Sequence, residues 1–400
     1  MKRIATADIL ICGGGIIGLT ITRELLKKGY ENIVLIDKEE EIGLHASGRN
    51  SGVLHAGIYY TPDSLRARSC LRGNLLMKEY CRGKDLPLLE SGKVIVAKNE
   101  SEIAVLNELF YRAQENGARV KLIDERELKE IEPYARTCGI ALFSEYTAVV
   151  DPKKILTSLY NDLTSSSIVK ILLGIQFKHV KGDDIAVTNK GEIKFNMFIN
   201  AGGAYSDIIS YDFGVGLNYK LIPFKGIYKK LSNKKASSIK GNIYPVPDIR
   251  NPFLGVHYTK NVSGDVYIGP TAIPAFGREN YGIVKGIDIE AFEISLREAC
   301  LFFTNPKFRK IALIEPKKYY PPFFYRDARS LVKGIEPEDI ESTKKRGIRP
   351  QLVDWSQKEL ITDFMVLKDG NSVHILNAIS PAFTSSLDFA KFVIEEYVQN

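Results

Sequence analysis

The sequence predicts an α/β protein, α+β overall, in which a Rossmann-like dinucleotide-binding domain is joined to a second, substrate-binding domain built on an antiparallel sheet. Three observations carry this prediction. The stretch Ala7 to Lys38 reads as strand, glycine turn, helix and strand in immediate succession. The 400 residues exceed the usual size of one domain, and a hydrophobic content of 44% suffices for more than one core. Between Tyr219 and Gly269 lie several short β-branched or aromatic runs separated by Gly, Pro and Asn turns, the pattern of an antiparallel sheet.

The N-terminal stretch is the organising one. Asp8 to Cys12 is an apolar run that stops at Gly13, Gly14, Gly15, Ile16, Ile17 and Gly18, which meets the G-x-G-x-x-G spacing. Ile16, Leu19, Thr20, Arg23, Leu26 and Lys27 then keep the three-and-four spacing of an amphipathic helix that ends at Gly29, and Ile33 to Asp37 forms a second strand. The chemistry needs glycine for a tight turn at Gly13, for close approach to a pyrophosphate at Gly15, and for helix packing on the strand at Gly18. The helix N-terminus offers free N–H groups and partial positive charge to the phosphates. Asp37 stands where an acid binds the hydroxyls of the adenosine ribose. Strand, helix, strand and acid in register point to an adenine dinucleotide, NAD or FAD, rather than to an ordinary glycine-rich turn.

Composition narrows the class. No run approaches the ~18 apolar residues of a membrane span, and MKRIATADIL enters the first strand without signal-peptide anatomy, so a cytoplasmic protein is expected. Five cysteines, none in a C-x-x-C pair, argue against a disulfide framework and a zinc site, and no metal is expected. Cys12 reads as core packing, and Cys70 and Cys81 as free thiols in a reducing compartment. A net charge of +7, concentrated at Lys229 to Lys235, Lys307 to Lys318 and Lys344 to Arg346, suits an anionic substrate or surface, with a solvated basic face as the plainer reading. Nothing points to nucleic acid.

After the second strand comes GLHASGRNSGVLHAGIYYTPDSL, Gly43 to Leu65, too rich in Gly, Ser and Asn for a helix interior or central strand. The βαβ unit followed by S-G-x-N-S-G-V-x-H-A-G-x-Y-Y-T-P-x-S-L resembles the FAD-dependent oxidoreductases of the D-amino-acid-oxidase superfamily, and within it the L-2-hydroxyglutarate dehydrogenase/oxidase group. The resemblance implies FAD as cofactor, with Ile17 and Lys38 joining Gly13, Gly15, Gly18 and Asp37 around the dinucleotide, and Ser47, Asn50 and Ser51 at the flavin and its pyrophosphate. It also implies that His55 faces the substrate; the plainer alternative is a buried histidine bonded to backbone.

Further along, Leu65 to Lys84 reads as an amphipathic helix, Lys93 to Ala97 as a strand, and Ser101 to Asn116 as a helix ending at Gly117. Asp124 with Glu127 makes an acid capping pattern before a short helix that must stop by Pro133. Asp151 and Pro152 start a helix to about Leu163. The runs Ile168 to Leu173, Ile175 to Val180, Ile185 to Thr188 and Phe195 to Ile199 follow as strands, the last entering the turn NAGGAYSD. The resemblance places this segment in the FAD domain, with Val180 binding adenine through its backbone and Ala201 and Gly202 beside the dinucleotide. The FAD domain is therefore expected to be discontinuous, over 1–90, 145–218 and 331–400, with the substrate domain over 91–144 and 219–330.

The stretches IPFKG at Ile222, IYPVPD at Ile243, NPFLGVHYTK and DVYIGPTAIPAFGREN resemble the 2-hydroxyglutarate group more specifically than the dinucleotide fingerprint does. Ile227 departs from the Glu that commonly follows the first of them. Gly286 to Thr304 reads as a helix, and Lys307 to Arg329 interleaves cations with Phe and Tyr. The latter is either a charged surface with a few buried aromatics or a peripheral site on the inner face of a membrane or on an electron-accepting partner. Phe364 to Leu367 and Val373 to Leu376 read as a final strand pair before an amphipathic C-terminal helix. By resemblance, Arg349 in GIRPQL holds a substrate carboxylate, and Ser380, Ala382, Phe383 and Thr384 lie at the flavin. Pro350 and Phe383 stand where that group more often has small residues.

Oxidising a secondary alcohol requires a base for the hydroxyl proton, a hydride acceptor, and a clamp on the substrate. His55, with an unperturbed pKa of about 6.5, suits the base, and the planar fork of Arg349 suits a carboxylate. A dicarboxylate needs a second polar anchor, for which Lys225, Tyr244, His257 and Arg278 are the candidates. The expected activity is FAD-dependent oxidation of a 2-hydroxy acid, L-2-hydroxyglutarate first, with oxygen, a quinone or an electron-transfer protein as acceptor. The rivals are a glycerol 3-phosphate or amino-acid oxidase of the same superfamily, a flavoprotein that only binds FAD or relays electrons, and an NAD-dependent dehydrogenase.

Overall fold

The computed structural model describes residues 2–248, 253–283, 285–287 and 289–399. Its chain divides into two compact units: residues 1–50, 152–223 and 349–400, and residues 51–151 and 224–348. The expected boundary at residue 90 lies instead at 50, for a packing reason. Val53–Leu54 pairs with Ala148–Val150, which also pairs with Leu88–Leu89. Ile58 shares a core with Ile95, Leu106, Leu109 and Tyr244. The segment that follows the dinucleotide loop thus buries its apolar side chains in the second unit. Residues 331–348 also belong there, since Leu331, Val332 and Ile335 join its core.

The first unit is centred on β1 (Arg3–Cys12). It is followed by α1 (Ile16–Lys27) and β2 (Ile33–Ile36), as the sequence requires. β1 pairs in parallel with β2 on one side and with the strand Glu192–Asn200 on the other. β2 continues the parallel sheet into Val169–Leu172, and Ser372–Ile375 pairs in parallel with the end of Glu192–Asn200. Strands with neighbours on both edges and helices over them are apolar throughout, and β2 is accordingly IVLI, fully buried. Helix α1 packs against Ala382–Tyr397 and Pro152–Thr164. It therefore buries Thr20, Thr22 and Glu24 together with its apolar residues.

The second unit holds a mostly antiparallel sheet that runs from Tyr219–Leu231 through Val266–Gly269, His257–Lys260, Asn242–Pro245, Lys93–Val96 and Ile140–Ser144 to Val120–Asp124. One join, Asn242–Pro245 with Lys93–Val96, is parallel. The expected capping pattern is present: the Asp124 carboxylate accepts from Arg126 and Glu127 N–H, and the Glu127 side chain accepts from Asp124 N–H, opening the helix Glu125–Ile131. The helix expected from Gly286 begins at Ala291. Asn251 and Pro252, which open one of the family-like stretches, lie outside the described residues. The cationic and aromatic run Lys307 to Arg329 forms two helices, Pro306–Ile314 and Pro321–Arg329. Phe308, Ile311, Phe324 and Ala328 are buried there, while Leu313, Tyr320 and Phe323 are exposed. Among the described residues, no helix is long and apolar enough to cross a membrane.

One irregular segment, His55 to Tyr60, is largely buried without belonging to a strand, so its carbonyls need donors from side chains. Asn74 Nδ2, on the helix Leu65–Gly83, donates to the carbonyls of Leu54, His55 and Tyr146 at 3.0, 3.0 and 3.1 Å. Asn116 Nδ2 donates to the carbonyls of Gly57 and Tyr60 at 2.7 and 2.9 Å, and Arg112 Nη1 to that of Tyr59 at 3.1 Å. Replacing Asn74 by Ala strips this donor from buried carbonyls and is expected to cost about 1–3 kcal/mol. Denaturant unfolding of the flavin-loaded variant measures this, and an unchanged midpoint would show that water replaces the amide.

Candidate active site

The dinucleotide cradle is built within the first unit. Gly13 has φ +120°, and a Cβ on it would stand 2.3 Å from the Ala201 carbonyl oxygen. A Cβ on Gly18 would stand 1.8 Å from the carbonyl oxygen of Gly13. Both glycines are therefore required by backbone meeting backbone, which no rotamer change can relieve. A Cβ on Gly14 would lie 3.1 Å from the Asp37 carboxylate, and one on Gly15 would lie 3.0 Å from Ser47 Oγ, filling the space over the turn.

Asp37 Oδ2 accepts from Gly14 N–H at 2.7 Å, and its Oδ1 accepts from Glu39 N–H at 2.8 Å. Ser47 Oγ accepts from Ile16 N–H at 2.9 Å, which fixes the flavin-side loop to the start of α1. The first intrahelical bond runs from Leu19 N–H to the Gly15 carbonyl, leaving the Ile17 and Gly18 amides for an anion. Asn50 Nδ2 donates to the Ser47 carbonyl at 2.7 Å. Lys38 is ion-paired with Glu39, and its Nζ stands 5.3 Å from the Tyr205 ring centroid. Ser51 opens the second unit.

Asn200 shapes the next turn: its Oδ1 accepts from Gly202 N–H at 3.0 Å, and its Nδ2 donates to the Ser206 carbonyl at 2.7 Å. Ala201 N–H reaches the Cys12 carbonyl at 2.8 Å. Ala382, Phe383 and Thr384 form the first turn of the helix Ala382–Tyr397, with Ser380 exposed just before it. Val180 N–H donates to the Asp212 carboxylate, and Ile175 N–H reaches the Asp37 carbonyl at 2.8 Å, so this stretch of chain passes beside the acid that ends β2.

The substrate-side cluster lies within the second unit. Asn242 pairs with both Lys93 and Thr259. Alternate residues share a face, so Lys93, Asn242, Tyr244, His257 and Thr259 project from one side of the sheet. Tyr244 and His257 stack with ring centroids 3.7 Å apart at 21°. His257 Nδ1 faces the Gly255 carbonyl at 2.8 Å, so that nitrogen carries the proton and Nε2 presents a lone pair.

His55 is 7% exposed. Burial holds its pKa well below 6.5, with lesser contributions from Lys93 and His257, and burial likewise lowers His257 to about 3. Both imidazoles are therefore neutral at pH 7. Lys93, which the sequence reading passed over as an ordinary strand residue, is 1% exposed. Its Nζ lies 4.5 and 4.9 Å from the ring centroids of Tyr59 and Tyr244, and burial lowers its pKa to about 7. A lysine in phase with Ile95 in an otherwise apolar strand was the available signal.

The other expected anchors have partners or places of their own in the structure. Lys225 Nζ donates to Asn280 Oδ1 at 2.8 Å and to the Gly282 carbonyl at 2.6 Å. Arg278 is 1% exposed and grips the Glu290 carboxylate through Nε and Nη2 at 2.7–3.0 Å. These two cations hold the segment after the family-like strand in place, because a buried charge needs fixed partners. Arg349 is half-buried on the strand Ile340–Asp354, in the part belonging to the first unit.

The glycine cradle, the free first-turn amides and the acid at the end of β2 fit an adenine dinucleotide, and this chain is an FAD-dependent oxidoreductase. A family model described as FAD dependent oxidoreductase (DAO) matches residues 8–391, and the chain belongs to that family. It is 36% identical to the L-2-hydroxyglutarate dehydrogenase, mitochondrial, of Mus musculus, over 97% of this chain and 87% of that protein. It is 33% identical to the L-2-hydroxyglutarate dehydrogenase of Indibacter alkaliphilus, over 97% of this chain and 98% of that protein. Among solved structures, the L-alpha-glycerophosphate oxidase of Mycoplasma pneumoniae with FAD bound superposes with a TM-score of 0.75, at 21% identity, over 99% of this chain and 94% of that one. The glycine oxidase of Geobacillus kaustophilus does so with a TM-score of 0.72, at 16% identity, over 99% and 95%. FAD is the cofactor, and the chemistry is FAD-dependent oxidation.

Two outcomes are expected. Gly18→Ala forces a Cβ into the Gly13 carbonyl; it is expected to cost about 3 kcal/mol or more, at or above the top of the usual overpacking range, and to yield protein lacking the yellow flavin absorbance. Full flavin content in this variant would overturn the backbone-contact argument. Separately, His55, His257 and His374 are buried with lowered pKa values, about 3 for His257 and about 4 for His374. The unfolded chain therefore binds more protons below about pH 6.5, and stability is expected to fall on acidification by up to about 1 kcal/mol per pH unit for each histidine. Thermal unfolding between pH 7 and pH 5 measures this, and a flat profile would mean that the histidines are solvated.

Proposed function

We propose that this chain oxidises L-2-hydroxyglutarate, or a near relative, to the 2-oxo acid. The observation that carries the reading is near-full-length similarity to proteins of that name, joined to a neutral, buried His55 on the polar side of the second unit. FAD, when bound, supplies the hydride acceptor. His55 supplies a ring nitrogen with an unprotonated lone pair to take the hydroxyl proton. Its backbone is held by Asn74 and Cys70, whose Sγ lies 3.5 Å from the His55 carbonyl, so the imidazole is positioned before substrate arrives. Arg349 provides a planar fork for a carboxylate. His257 Nε2 can accept a hydrogen bond and cannot clamp an anion while neutral.

Mixing the yellow protein anaerobically with L-2-hydroxyglutarate is expected to bleach the flavin rapidly, and the D isomer is expected to leave it oxidised. If neither isomer bleaches it, while glycerol 3-phosphate or an amino acid does, the substrate assignment falls. His55→Ala is expected to retain FAD and to slow reduction by ~10²-fold or more; an unchanged rate would remove His55 as the base. Because burial lowers the His55 pKa, its base form persists on acidification, and the acid limb of kcat/KM is expected below about 6.5. A limb at or above the ordinary histidine value would contradict that origin.

A further inference from the structure

Of the expected second anchors, Lys225 and Arg278 already donate to Asn280 and Glu290 and His257 is neutral, which leaves Tyr244 as a neutral donor and calls for a cation beside it. We propose that Lys93 is that anchor, its ammonium pairing with a carboxylate of the substrate. This rests on the substrate's being a dicarboxylate acid.

Lys93 Nζ is buried and makes no hydrogen bond among the described residues. Its surroundings supply two aromatic faces, Tyr59 and Tyr244, and among the described residues no carboxylate hydrogen-bonds to it. A cation–π contact offsets only part of what it costs to take an ammonium out of water. The rings therefore compensate only part of the cost, and an anion completes the site. Further buried polar atoms near the same strand point the same way. The Tyr59 hydroxyl and Asn242 Oδ1 also lack partners, although Asn242 Nδ2 donates to the Gly92 carbonyl at 2.9 Å. Ammonium and phenol are donors suited to carboxylate oxygens, and the amide oxygen can accept from a protonated group or orient the ammonium.

Pairing would also act on the base. Lys93 is one of the charges that disfavour protonation of His55, so neutralising it by a bound carboxylate makes His55 a better proton acceptor when substrate is present. The groups facing Lys93 are His55, Tyr59, Cys70, Tyr244 and His257.

The test is calorimetric titration of wild-type and Lys93→Met holoenzymes with glutarate, a five-carbon dicarboxylate lacking the reactive hydroxyl, together with flavin content and Tm. Wild type is expected to bind glutarate, and Lys93→Met to bind it about thirtyfold or more weakly, with flavin content intact and Tm unchanged or raised, because a buried unpaired charge is removed. Equal affinity in the two proteins, or no binding of glutarate to wild type, overturns the assignment. A lowered Tm with affinity preserved also overturns it and assigns Lys93 to the scaffold. Lys93→Gln serves in the same titration if the methionine variant does not fold. Glutarate binding that depends on Lys93, in a protein whose flavin L-2-hydroxyglutarate does not bleach, would leave this site standing while removing the proposed reaction.

Discussion

The first unit depends on one place where backbone meets backbone. The end of β1, the turn after Glu192–Asn200 and the start of α1 converge at Gly13, whose Cβ position is taken by the Ala201 carbonyl, while the Gly13 carbonyl takes the Cβ position of Gly18. That contact sets how deeply the first helix sits on the sheet. It also leaves the Ile17 and Gly18 amides of the first turn without an intrahelical partner, and it places the acid after β2 beside the same turn, where Asp37 receives the Gly14 N–H. Fold and cofactor site are thus one arrangement: side chains at these positions would separate the helix from the strand and close the cradle together.

The second unit solves a different problem, that of burying titratable side chains. An irregular segment carrying His55 is buried, so its carbonyls are satisfied by Asn74, Arg112 and Asn116 from two helices. The sheet contributes Lys93, Tyr244 and His257 from a single face. Burial then fixes protonation: it keeps both imidazoles neutral and brings Lys93 to about 7. Such an environment costs stability, because polar atoms are held away from water without full compensation. Natural proteins tolerate that cost where activity needs it.

Legibility varied with the range of the interaction. Short-range signals were readable: the glycine turn, the capping pair Asp124 and Glu127, and the proline that opens Pro152–Thr164 all act within a few residues of themselves. The run Lys307 to Arg329 holds two short helices whose buried stripes are only two residues each, Phe308 with Ile311 and Phe324 with Ala328, too short to stand out among the surrounding cations and exposed aromatics. Charge alone made Lys225 and Arg278 candidate ligands; that Asn280, Gly282 and Glu290 also reach them depends on how the chain folds back. Lys93 was hard to read for the converse reason: its phase with Ile95 was the one signal, and a lysine heading a strand looks like an exposed end until neighbouring strands close over it.

The sequence by itself determined the α/β class and the nucleotide cradle, because each follows from residue types at fixed local spacing: glycine where a Cβ cannot fit, an acid at a strand end, apolar runs of strand length; the family was legible only by the resemblance of longer stretches such as SGRNSGVLHAG. Tertiary structure alone decided where the units divide, which cations are bound to the scaffold, and which histidines are neutral. Those properties come from burial and from partners distant along the chain, and the free energy of a charged group depends on its surroundings more than on its identity.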